Sequence, residues 1–198
     1  MLWVSIFTTL TGLIEPIFVP RYWSPPSLFN LALATHFDIE SLVFSWGTGG
    51  LGSVLYEASI NVSHQKMADG ELKRERRWVH LASLCSLPVV FGLTYFFTNL
   101  NPIYCLSLAL FVGALSAVIC RPDLVWNTLV GGLLFMSLYF ILFFFVLKVS
   151  PGFIKAWNFS DISGILVLGV PVEELMYAFT FGMMWSGVYE HIRHYTLR

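Results

Sequence analysis

Long apolar stretches broken by short polar turns run through the chain, and six of them predict membrane-spanning helices. They extend from about Leu2 to Val19, Leu28 to Tyr56, Trp78 to Thr98, Ile103 to Cys120, Leu124 to Leu147 and Ile162 to Tyr189. Pro20, Pro25-Pro26, Asn99 to Pro102, Arg121-Pro122-Asp123 and Pro151-Gly152 mark the turns between them. Each stretch approaches or exceeds the length that crosses about 30 Å of hydrocarbon, where backbone polar groups must be satisfied within the chain. The expected fold is therefore an all-α polytopic membrane helix bundle, one domain over residues 1–198. The first stretch lacks a basic leader and a small-residue cleavage site and carries Glu15-Pro16, so it reads as a retained helix and not a signal peptide.

Composition agrees with a membrane setting. Hydrophobic residues make up 57% of the chain and charged residues 12%, about half the charge of a soluble domain, and the mean hydropathy is +0.73. The net charge of −1 gives no basic face for nucleic acid. Cys85, Cys105 and Cys120 sit in apolar stretches without paired spacing, which signals neither a disulfide framework nor a metal site.

Basic residues orient the bundle. Lys66, Lys73, Arg74, Arg76, Arg77, Arg121, Arg193 and Arg198 fall on one side of the predicted helices, against Arg21, Lys148 and Lys155 on the other. That asymmetry places both termini in the cytoplasm and the chain in the cytoplasmic (inner) membrane, with the Lys73 to Arg77 cluster as a topology determinant.

Against this background two adjacent acids stand out. Glu173 and Glu174 are the only charged residues in the 28-residue stretch Ile162 to Tyr189. An ionised carboxylate at bilayer depth costs several kcal/mol, so such residues face a polar cavity or keep a proton. Pro171 removes a backbone donor just before them and predicts a kink or break. At helical spacing Tyr177 projects between the acids, while Phe181 and Trp185 share the face of Glu174. Carboxylic acids in an apolar aromatic pocket suit protonation of an alkene. One carboxyl of the pair is expected to keep its proton and act as acid, with Glu174 the better candidate and Glu173 its partner or base. Tyr177, Phe181 and Trp185 would hold a carbocation against their π faces.

An ungapped offset of 133 residues aligns Phe37 to Glu57 with Val170 to Glu190. Glu40 falls on Glu173, Gly49 on Gly182, Ser53 on Ser186 and Tyr56-Glu57 on Tyr189-Glu190, and Trp23 and Trp157 precede the two segments. The pattern predicts a degenerate internal repeat of the parallel kind, with copies near 22–57 and 157–190 and a site shared between them. Glu40 would bring a third carboxyl and Phe44 a further ring. His36, near Asp38 and Glu40, reads as a buried histidine or a proton relay.

Trp157-Asn-Phe, Ile162-Ser-Gly-Ile and Gly169-Val-Pro-Val-Glu-Glu-Leu-Met-Tyr177, closing on Tyr189-Glu190, resemble the lycopene cyclase domain of the heterodimeric bacterial and fused archaeal or fungal type. The family's Pro-x-Glu-Glu signature stands here as Pro171 to Glu174, with Trp157 in the flanking motif, and the first copy departs from it with Asp38-Ile-Glu40-Ser41. The resemblance implies a small membrane enzyme of carotenoid synthesis. It would cyclise the linear ψ end of lycopene to an ionone ring by a redox-neutral isomerisation of the intramolecular lyase type. It also implies no flavin cofactor, in keeping with the absence of a GxGxxG motif.

Two other classes fit parts of the pattern. A non-enzymatic carotenoid-binding or assembly subunit would use the acids only as buried hydrogen-bond partners. An intramembrane CAAX-type protease would share the glutamate pair, although Ala178 stands where its motif has arginine. The partners expected are a hydrophobic polyene and the lipid bilayer, with room for a homo- or hetero-oligomer; no cofactor, metal or nucleic acid is called for.

Overall fold

The computed structural model describes residues 2–60, 64–66, 74–188 and 195–197. The chain is mostly helical. Helix α1 (Leu2–Thr9) tightens into a 3-10 stretch, Leu10–Ile17, and a short α2 (Leu31–Thr35) precedes α3 (Ile39–Ile60). Four further helices follow: α4 (Arg74–Phe97), α5 (Pro102–Cys120), α6 (Val125–Val149) and α7 (Val172–Trp185). Two small antiparallel ribbons complete the fold, β1 (His64–Lys66) with β4 (Tyr195–Leu197) and β2 (Leu166–Val167) with β3 (Val170–Pro171).

The long helices run back and forth between two ends of a bundle. At one end the loops before α3, α5 and α7 meet: Asn101 donates its amide to the carbonyls of Arg21 at 2.9 Å and Asp161 at 3.3 Å, and Trp23 and Trp157 form an antiparallel β-bridge. At the other end β1 pairs with β4, joining the segment after α3 to the segment after α7. Asn127, near the start of α6, donates to the carbonyl of Ser186 at 2.9 Å, just past the end of α7. The acidic helices α3 and α7 therefore start at the same end.

Small residues let the helices approach. A Cβ on Gly49 would collide with the Thr8 side chain and one on Gly50 would fall 2.7 Å from the Ser5 hydroxyl, which locks α1 against α3. On α6 and α7 a Cβ on Gly131 would collide with the side chain of Ser186, and one on Gly182 would fall 2.6 Å from Phe135. Such small-residue seams are how helices associate where burial of apolar surface provides no drive.

Pro102–Cys120 and Pro122–Val149 are the helices among the described residues long and apolar enough to cross a membrane; Leu2–Ile17 and Cys85–Phe97 are apolar but shorter. Two of the predicted stretches differ from the expectation. The second, Leu28 to Tyr56, is not one helix: Phe29, Asn30 and His36 adopt positive φ, and Asp38 restarts the chain as α3 by accepting from the Ser41 N–H at 2.6 Å. The sixth, Ile162 to Tyr189, is helical only from Val172. Its first part folds back as the β2–β3 hairpin through Leu168 (φ 51°) and Gly169 (φ 94°), the pair of left-handed residues that a tight hairpin turn requires. Pro171 then ends the hairpin and opens α7. His36 is exposed and so is not the buried histidine expected. Lys73, Arg193, Arg198 and Tyr189-Glu190 lie outside the described residues.

Candidate functional site

Because α7 begins at Val172, Glu173 and Glu174 occupy its first turn, where the free N–H groups and the helix dipole favour carboxylates. Being adjacent, they point in different directions. Both are buried, at 0% and 3% exposure, yet their surroundings have little in common.

Glu174 is held by three donors from three parts of the chain. Tyr22 O–H and Trp157 Nε1–H reach its Oε1 at 2.5 and 2.8 Å, and Tyr139 O–H on α6 reaches Oε2 at 2.7 Å. The indole can only donate, so the carboxyl accepts on Oε1 whatever the phenols do. Burial, together with the neighbouring Glu174 carboxyl, pushes the Tyr22 phenol well above its ordinary range and keeps it a donor. Trp157, itself buried, is braced edge-on by Phe143 and Phe153.

Glu173 faces the other way. Its Oε1 accepts from Tyr104 O–H on α5 at 2.6 Å and from the Ser163 N–H at 2.8 Å, tying the strap before the hairpin to α5 and α7. Glu40, in the first turn of α3, makes an analogous bond: its Oε1 accepts from the Leu28 N–H at 2.6 Å in the strap before its own helix. In both residues Oε2 is buried without a hydrogen-bond partner.

A cavity of about 430 Å³ lies between the helices. Glu174, Tyr177, Phe181 and Trp185 line it from α7, Glu40 and Phe44 from α3, and Tyr139 from α6. Glu173 does not line it; its side chain is committed to Tyr104 and Ser163. The aromatic wall is continuous. Phe181 stacks on Trp185 with centroids 4.5 Å apart, Tyr177 lies 5.6 Å from Phe181, and Phe44 meets Tyr139 edge-on at 6.1 Å. Trp185 is anchored at its polar edge by donating Nε1–H to the Thr8 hydroxyl at 2.7 Å. The stacked pair has no slack toward α3, since a Cβ on Gly52 would lie 3.1 Å from both the Phe181 ring and the Trp185 Cβ.

Two residues of the cavity carry carboxyls that the helical projection does not single out. Asp38 caps α3, and Glu15 lines the wall from the 3-10 stretch, accepting from Trp23 Nε1–H at 2.8 Å. Glu15 does carry a sequence signal, as an acid beside proline inside an apolar stretch. Tyr22, Tyr104 and Tyr139 carry none, because nothing in their spacing connects them to the glutamate pair. No lysine or arginine lines the cavity among the described residues, so four carboxyls share one largely apolar space.

Residues 101–192 match the family model described as lycopene cyclase. No curated protein and no solved structure matches the chain. The match covers α5, α6, the hairpin and α7, including Tyr104, Tyr139, Trp157 and the Pro171 to Glu174 signature; Glu15 and Glu40 lie outside it. Over these 92 of its 198 residues the chain is similar to the lycopene cyclase domain family.

Proposed function

We propose that the protein is a membrane enzyme that closes the linear ψ end of a lycopene-type polyene into an ionone ring by acid-initiated, redox-neutral cyclisation. The observation that carries this reading is the placement of Glu174 at a cavity walled by aromatic rings, inside the segment that matches the family. Such a reaction adds one proton to a terminal double bond, shifts the cation into the ring and loses one proton. Glu174 is the carboxyl of the signature pair that takes part, and Glu173 holds the strap that closes the site. Tyr177, Phe181, Trp185 and Phe44 stabilise the cation through their faces and exclude the water that would quench it.

The setting we propose is the bilayer, with α1 and its 3-10 continuation, α3, α4, α5, α6 and α7 as six crossings and both termini cytoplasmic. Support comes from the back-and-forth course of the helices and from large apolar side chains on their outer faces, such as Trp3, Phe7, Phe97, Ile119, Trp126 and Phe145. The parallel repeat has support of the same kind. Glu40 and Glu173 each hold the preceding strap by its backbone, and Trp23 and Trp157 pair with each other.

Expression in a lycopene-accumulating bacterium, followed by chromatography of the pigments, tests the function. A ring-bearing product that depends on the chain is the expected result. A protein that purifies coloured, with its lycopene unchanged, would make it a carrier and overturn the reading.

A further inference from the structure

Glu15 and Glu174 stand in matching arrangements that their positions in the chain do not suggest. Trp23 and Trp157, bridged backbone to backbone, each aim an indole N–H at one of them, and both contacts measure 2.8 Å. Both carboxyls line the same cavity.

The donors around each acid divide their labour. Glu174 takes hydrogen bonds on both oxygens, one from a group that can only donate, and it sits at a helix N-terminus, so donors and dipole offset part of what burial costs its charge. Asp38 and Glu40 each accept a backbone N–H beside the start of α3, although Oε2 of Glu40 has no partner. Glu15 has no helix N-terminus: it lies at the far end of the Leu10–Ile17 stretch, with the Trp23 indole on Oε1 and the Ser41 side chain as its second hydrogen-bond neighbour. No lysine or arginine among the described residues lines the cavity to balance its four carboxyls, and Glu15 is the one that stands away from a helix N-terminus.

We propose that Glu15 is the catalytic proton donor and Glu174 the acceptor, an assignment that rests on the cyclase reading above. The Glu15 O–H bond breaks as a C–H bond forms at the terminal double bond of the polyene, leaving the electron pair on Glu15. The resulting cation is attacked by the neighbouring double bond, which closes the ring. Glu174 then removes a proton from the ring carbon beside the new cation, and the freed electron pair becomes the ring double bond. Transfer of one proton from Glu174 back to Glu15 resets the site, with no change in oxidation state.

Glu15→Gln is the informative variant, because the amide oxygen still accepts from Trp23 while the acidic proton is gone. The full chain is expressed in lycopene-accumulating cells, with pigment conversion normalised to membrane protein level and lycopene retention measured on the purified protein. We expect conversion to fall by about a hundredfold or more while lycopene is still retained. Conversion above about a tenth of wild type, or loss of lycopene binding together with activity, overturns the proposal. If Glu15→Gln does not accumulate, Glu15→Asp takes its place: it keeps the acid but withdraws it by one methylene, so wild-type conversion in that variant overturns the proposal and a drop of about tenfold or more supports it. Absence of any cyclised pigment with the wild-type chain would instead count against the cyclase reading itself.

Discussion

Trp23 and Trp157 touch through their backbones and part through their side chains, one indole donating to Glu15 and the other to Glu174, each at 2.8 Å. The bridge is backed by the Ser24 N–H bonding the Ala156 carbonyl at 2.6 Å and the Asn158 N–H bonding the Tyr22 carbonyl at 2.9 Å. Two straps distant in sequence thus set the separation of two carboxyls.

Glu174→Gln should end ring formation without unfolding the protein. The amide oxygen can still accept from Tyr22 and Trp157, and Tyr139 can turn to accept from the amide N–H. Pigment conversion is expected to fall at least about a hundredfold at an unchanged membrane level. Wild-type conversion in the variant would return Glu174 to a structural role.

Glu173→Ala should behave differently. It strips the Ser163 N–H and the Tyr104 hydroxyl of their shared acceptor, which costs about 1–3 kcal/mol of stability. Thermal unfolding in detergent would register that loss. Conversion per folded molecule is expected to stay within about tenfold of wild type, since the side chain does not line the cavity.

Trp185 separates packing from chemistry. Trp185→Phe removes the bond to Thr8 but keeps a ring against Phe181, so a stability loss of about 1 kcal/mol with nearly unchanged conversion is expected. Trp185→Ala removes the ring, and conversion should drop by roughly ten- to thirtyfold through weaker cation stabilisation. Equal conversion by the two variants, measured by chromatography of extracted pigments, would remove the ring from the mechanism.

Glycine substitutions test the helix seams. Gly131→Val places its side chain into Ser186 and should abolish accumulation of the folded protein. Gly47→Ala meets nothing within 4 Å and should be neutral or stabilise α3 by up to about 1 kcal/mol. Membrane level and unfolding temperature would distinguish them.

Hydropathy is enough to find α5 and α6, whose ends coincide closely with the expected stretches because proline and polar residues flank them. It fails at α7, where an apolar hairpin runs straight into an apolar helix with no polar turn between them; Gly169 and Pro171 carry the distinction. It fails again in the second stretch, where Asp38 acts as a helix cap in an otherwise apolar run. At the site, helical projection places Tyr177, Phe181 and Trp185 on one stripe, since it reads contacts within a helix. It does not separate the surroundings of Glu173 from those of Glu174, which are set by Tyr22, Tyr104 and Tyr139 from elsewhere in the chain.

The contacts of α7 have a bearing on how the protein is made. Trp185 is hydrogen-bonded to a residue 177 positions earlier and Glu174 to one 152 positions earlier, so the cavity lacks its Tyr177, Phe181 and Trp185 rings until the last helix enters. During synthesis Glu15, Asp38 and Glu40 emerge first and wait, with Thr8 and Tyr22 lacking their partners. Contacts of such long sequence separation form late. Chains interrupted before α7 would leave those acids uncovered, and arrival of α7 is the step that completes the cavity around them.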